Sequence, residues 1–201
     1  MTTPRDLLIT AMDQEAGRTL DRGDLSLALA GAELIDLLDA GAIALDGERI
    51  VPSEGRAVGD RVLDEAAASL VRQAPYETVD DWLWRRGRDL SAVYESALEA
   101  DGQLAQERRR WMFFQPGRAV LVDTPARREA SNRLAAEEPV LTTLAAAAGF
   151  ADEPTGDSTG LFDSSVETVL GTVNDAVRNL EAERQRRSIE GAAFDNIWRG
   201  Q

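Results

Sequence analysis

Apolar residues recur at helical spacing through "GDLSLALAGAELIDLLDAGAI", at Leu25, Leu29, Ala32, Ile35 and Leu38. Leu27, Leu34 and Leu37 widen the stripe. So broad a face predicts a helix buried on most sides, with Asp24 as N-cap and Gly41 as the terminating glycine. The next segment, "AIALDGERIV", alternates around Asp46-Gly47, a strong local signal for a tight hairpin. Helical spacing returns in "DRVLDEAAASLVRQ", which places Val62, Leu63, Ala66, Leu70 and Val71 on one side.

In "TVDDWLWRRGR", Thr78 followed by Asp81 resembles a capping box and predicts a short helix carrying Trp82, Leu83 and Arg86. A further helix is expected over "DLSAVYESALEADG", capped by Asp89 and closed by Gly102. Pro116-Gly117 suits a type II turn, which would make "RRWMFF" and "RAVLV" the arms of a second hairpin. Helices are predicted over 125–137 and 140–149, with Pro139 at the start of the second. A flexible loop at about 150–164 follows, containing "ADEPTGDSTG". The stretch "SVETVLGTVNDAVRNLEAERQRR" is amphipathic through Val166, Val169, Leu170, Val173, Val177 and Leu180. Beyond it Phe194, Ile197 and Trp198 share a face expected to dock on the core. The expected fold is mainly α: one compact helical domain over 1–201 with two small β-hairpins, one of them protruding.

Composition narrows the chemistry. The chain of 201 residues carries a net charge of −14, and all 22 basic residues are arginine. With neither lysine, histidine nor cysteine, it has no disulfide, no thiolate or imidazole metal ligand, no Walker lysine and no Schiff base. The Gly-Asp-Ser-Thr-Gly run in the flexible loop follows no strand and precedes no lysine, so it reads as a linker. With 36 acidic residues, carboxylate pairs carry no specificity. Nothing calls for a metal, a cofactor or a catalytic residue, and the chain reads as non-enzymatic. The absence of a signal peptide or a spanning segment points to the cytoplasm.

The charge is uneven. Residues 1–81 sum to −10 and 119–201 to −6, whereas 82–118 sum to +2 and hold Trp82, Trp84 and Trp111. Here Arg85, Arg86 and Arg88, with Arg108, Arg109 and Arg110, lie beside Trp111, Met112, Phe113 and Phe114. Guanidinium forks suit phosphate oxygens, and large apolar residues on a hairpin suit the lipid headgroup boundary. As a strand, "RRWMFF" puts Arg109, Trp111 and Phe113 on one face and Arg110, Met112 and Phe114 on the other. At least one face therefore needs cover, from the core, from a second copy of the chain or from a membrane.

The order of "DLLITAMDQEAGRTL", "LALAGAELIDLLDAGAIAL", "ETVDDWL" and "ALEADGQLAQERRRWMFF" resembles the Golgi phosphoprotein 3 family, including its bacterial members. The resemblance implies a helical fold with a protruding hairpin for oligomerisation and membrane insertion. For eukaryotic members it implies binding of phosphatidylinositol 4-phosphate and retention of glycosyltransferases through their cytoplasmic tails. The family's lipid pocket uses a tryptophan and three arginines. On this chain those positions fall on Asp21, Ala30, Arg88 and Ser91, so only Arg88 is kept.

The resulting expectation is a peripheral adaptor at the inner face of a membrane. An anionic, phosphoinositide-like lipid would bind at Arg85, Arg86 and Arg88, through a pocket weakened by Asp21 and Ala30. The alternative is a protein-protein adaptor that self-associates through the 108–122 hairpin without lipid. A helix followed by the Asp46-Gly47 hairpin also resembles part of a winged-helix domain. The strong local acidity argues against DNA, and no nucleic-acid partner is expected.

Overall fold

The computed structural model describes residues 2–14, 20–53, 58–106, 119–152 and 162–199, with side chains of the last helix described as far as residue 190. These residues form eight helices and two antiparallel two-stranded sheets, a mainly α architecture.

The first helix, α1 (Thr3–Gln14), runs through the core, and its Leu7, Leu8, Ile9 and Ala11 are fully buried. It packs on four other helices. Its apolar residues are consecutive rather than periodic, which is why the spacing analysis assigns no helix there.

Helix α2 (Arg22–Asp39) starts earlier than expected. Its N-cap is Asp21, not Asp24: the Asp21 carboxylate accepts from the Gly23 amide at 2.7 Å and from the Asp24 amide at 3.4 Å. Asp24 falls inside the first turn and is free to pair with another helix. The far end closes as expected at Gly41, whose φ of +66° favours glycine. Strands β1 (Ile43–Asp46) and β2 (Arg49–Pro52) form the first hairpin, with Asp46 opposite Arg49 and Gly47 in the turn.

Helix α3 (Arg61–Ala68) is shorter than the pattern suggests. Leu70 still reaches the core beyond its end, but Val71 lies outside the helix and is exposed, so it does not share the buried side. Helix α4 (Val79–Arg86) is capped by Thr78, whose hydroxyl oxygen accepts from the Asp81 amide at 3.1 Å. Trp82 and Leu83 are fully buried, and the Trp82 indole N–H donates to the Ala30 carbonyl at 3.2 Å.

Helix α5 (Leu90–Ala100) corrects a second cap. Asp89 has φ +56° and its side chain makes no capping bond. Only residues 87–89 connect α4 to α5, so Asp89 supplies the reversal in the left-handed conformation that Asp tolerates. The Ser26 hydroxyl oxygen of α2 accepts from the Ser91 amide instead, at 3.1 Å.

Strands β3 (Leu104–Gln106) and β4 (Ala119–Leu121) pair with Leu104 opposite Leu121. The base of the second hairpin is therefore present, and within "RAVLV" Ala119–Leu121 pair with Leu104–Gln106. Arg108, Arg109, Arg110, Trp111, Met112, Phe113, Phe114 and the Pro116-Gly117 turn lie outside the described residues, as does most of the 150–164 loop.

Helices α6 (Pro125–Ala135) and α7 (Pro139–Ala147) begin at prolines after the capping residues Thr124 and Glu138. Helix α8 (Ser164–Arg199) lies against α2, α4 and α7, burying Val169, Val173 and Ala176 completely. The α2–α8 approach requires Gly31, where a Cβ would overlap the Val173 side chain. The side chains of Phe194, Ile197 and Trp198 lie beyond those described.

Candidate functional site

The three arginines around the end of α4 have different environments. Arg86 turns inward: its Nε and Nη2 each donate to the Glu33 carboxylate at 2.9 Å, and Nη2 also reaches the Val62 carbonyl at 3.4 Å. Glu33 is fully buried and accepts a third hydrogen bond from the Tyr94 hydroxyl at 3.1 Å. Burial raises the pKa of Glu33, opposed by Arg86 and Tyr94. Burial and the neighbouring Glu33 push Tyr94 upward as well.

Arg85 lies along the surface. It grips Glu77 with two bonds of 2.6 and 2.8 Å, and its guanidinium lies 5.1 Å from the centre of the Trp82 ring. The hydrogen bond to Glu77 is the main cause of its raised pKa.

Arg88 differs from both. It is exposed and, among the described residues, no carboxylate pairs with it. It lines a cleft of about 310 Å³ between the start of α2, the α4–α5 turn and Leu180 of α8. Arg22 of α2 lines the same cleft and reaches Glu95 at 3.2 Å. Trp84 forms a further part of the lining; it is 40% exposed and its indole N–H donates to Asp80 at 3.2 Å. Of Arg85, Arg86 and Arg88, the three residues expected to bind a lipid headgroup, Arg88 is the one without a carboxylate partner among the described residues.

Two glycines let the walls approach. A Cβ on Gly87 would stand 3.3 Å from the Ser26 carbonyl oxygen, and one on Gly23 would stand 2.6 Å from Arg184 Nη2. Arg184 of α8 pairs with Asp21 and donates to Asp24 at 2.8 and 3.1 Å, bracing α8 across the start of α2. Burial raises the Asp24 pKa, and Arg184 opposes the shift.

Of the other positions matched through the resemblance, Ser91 lines the cleft and Asp21 stands beside it as cap and ion-pair partner. Ala30 is fully buried against Trp82 and lines no part of the cleft. Sequence reasoning passes over Arg22, which sits in a carboxylate-rich "DRGD", and gives Trp84 no role separate from Trp82. The paired glycines at 23 and 87 are the signal that points to this meeting of walls.

A second cleft, of about 590 Å³, is lined in part by Arg5, Asp36, Asp60, Asp101 and Gln103. Arg5 is held there between Asp60 at 2.6 Å and Asp101 at 2.5 Å. Burial pushes the Asp36 carboxyl up to about 6, although its Oδ2 accepts from the Thr3 amide at 2.8 Å.

Among the described residues no helix is long and apolar enough to cross a membrane, and no group of three or more acidic side chains could hold a metal ion. The family model described as Golgi phosphoprotein 3 matches residues 4–179. No curated protein matches the chain.

Proposed function

Because the chain belongs to the Golgi phosphoprotein 3 family, we propose that it is a non-enzymatic peripheral adaptor that docks on anionic phospholipid through the cleft at Arg88. The observation that carries this reading is the contrast among the three arginines. Glu77 and Glu33 occupy Arg85 and Arg86, whereas Arg88 is exposed at the cleft without a carboxylate partner among the described residues. A guanidinium in that condition donates to phosphate oxygens without first breaking an internal ion pair. Arg108 to Arg110 would add long-range attraction, and Trp111 to Phe114 apolar anchoring.

The net charge of −14 opposes approach to an anionic surface, so the contact must be local and oriented. The test is co-sedimentation with neutral and anionic vesicles at low and physiological salt. Selective, salt-sensitive binding to anionic vesicles that is lost in Arg88→Gln supports the reading. Equal recovery with both kinds of vesicle overturns it.

A second reading, self-association through the 108–122 hairpin, draws on Val120 and Val122. They are 43% and 37% exposed at the described base of that hairpin, while Leu121 between them faces the core. Two β-branched residues on the outward face leave apolar surface for a second copy to cover. Sedimentation velocity over a concentration series tests this: a single monomeric species throughout removes it.

A further inference from the structure

Which headgroup the cleft takes can be argued from its charges and donors, and the argument rests on the membrane reading above. We propose that Arg22, Trp84 and Arg88 select a bilayer lipid whose headgroup carries a single phosphodiester charge and discriminate against one bearing an additional phosphomonoester.

The surroundings of the cleft are net negative. Arg22, Arg88 and Arg184 stand against Asp21, Asp24, Asp89 and Glu95, with Asp80 bonded to the Trp84 indole and Glu181 close to Asp24 besides. Arg184 is engaged by two carboxylates and Arg22 by one, so among the described residues Arg88 is the cleft guanidinium with no carboxylate partner. One fork matches the two free oxygens of a phosphodiester. An added phosphomonoester brings up to two further negative charges close to Asp89. Its added charge would have to share Arg22 with Glu95 and stand among the surrounding carboxylates.

Backbone donors do not make up the difference. The start of α5 faces the cleft, and a helix N-terminus ordinarily offers free amides to phosphate. Here the Leu90 amide donates to Gly87 at 3.4 Å, Ser91 to the Ser26 hydroxyl oxygen at 3.1 Å, and Ala92 to Asp89 at 3.1 Å. The remaining lining is largely apolar, with the half-exposed Trp84 ring and the partly buried Leu180 available to the carbon skeleton of a small polyol.

The experiment uses the full chain at physiological salt with three vesicles: phosphatidylcholine alone, with phosphatidylglycerol, and with phosphatidylinositol 4-phosphate at matched surface charge. Phosphatidylglycerol vesicles are expected to bind about tenfold more tightly than neutral ones, and phosphatidylinositol 4-phosphate vesicles about threefold less tightly than phosphatidylglycerol. Arg88→Gln should lower phosphatidylglycerol binding about tenfold, the scale of one lost charged hydrogen-bonding fork. Trp84→Ala should lower it about threefold. Asp89→Asn, which tolerates the left-handed backbone, should raise binding of phosphatidylinositol 4-phosphate more than that of phosphatidylglycerol. Thermal melting confirms that these exposed positions leave the fold intact.

Tighter binding to phosphatidylinositol 4-phosphate than to phosphatidylglycerol overturns the charge selection while leaving the membrane reading in place. Phosphatidylglycerol binding unchanged by Arg88→Gln removes the cleft from the interaction. No binding to any vesicle sinks both readings together.

Discussion

Arg86 and Glu33, 53 positions apart in the chain, face each other through two hydrogen bonds of 2.9 Å, with the Glu33 carboxylate fully buried. Arg88, two residues further on, points to solvent at the cleft. One short basic stretch thus contains an arginine engaged with a buried carboxylate and an exposed one that lines a cleft.

The two are separable by mutation. Arg86→Ala leaves a buried carboxylate without its counter-charge, a change that costs about 3–5 kcal/mol. Arg88→Ala removes an exposed side chain and should change stability by no more than about 0.5 kcal/mol. Chemical denaturation of both variants checks this. Equal losses would contradict the division of roles.

The crossing of α2 over α8 depends on the missing side chain at Gly31. Gly31→Ala should destabilise the protein by about 1–3 kcal/mol through overlap with Val173, outweighing the gain in helix propensity. Val173→Ala in the same chain should recover part of that loss, giving a non-additive double-mutant cycle. Additive effects would show that the two positions do not limit the approach.

Asp36 predicts a pH-dependent difference. Its folded pKa is raised from 3.8 to about 6 by burial. Its contribution to stability is therefore fully present below about pH 3.8 and is lost as pH rises through about 6. Asp36→Asn keeps an acceptor for the Thr3 amide and cannot ionise. The variant should be more stable than the parent at pH 7.5 by about 1–3 kcal/mol, and the gain should shrink toward zero near pH 4. Melting curves of both proteins across that range give the answer, and a gain independent of pH would refute the assignment.

The hairpin admits a test that reads association rather than folding. Replacing Trp111 and Phe113 together by serine should weaken vesicle binding or self-association by about tenfold or more and leave the melting temperature within about 2 °C. A large fall in melting temperature would instead place these side chains in the core.

Helices with a one-sided apolar stripe, and turns that need glycine, were readable from local residues alone. The spacing along α2, the positive-φ Gly41, Gly47 and Gly102, and the prolines opening α6 and α7 each state a local backbone preference. Helix α1 was not readable this way, because a helix buried on every side has no polar face to set a period. The α2 cap was misplaced because Asp21 and Asp24 both suit the position. The helix start decided between them: the Asp21 carboxylate accepts from the Gly23 and Asp24 amides, which leaves Asp24 inside the first turn to pair with Arg184 of α8.

Residue types and their order were enough to rule out thiol, imidazole and lysine chemistry, to indicate a helical protein and to carry the likeness to its family. They could not sort Arg85, Arg86 and Arg88, which are equivalent as local chemistry. That sorting required the folded molecule, because a guanidinium's availability depends on which carboxylate packing brings within 3 Å of it. For Arg86 that carboxylate arrives from 53 residues away, for Arg85 from eight, and for Arg88 none does among the described residues.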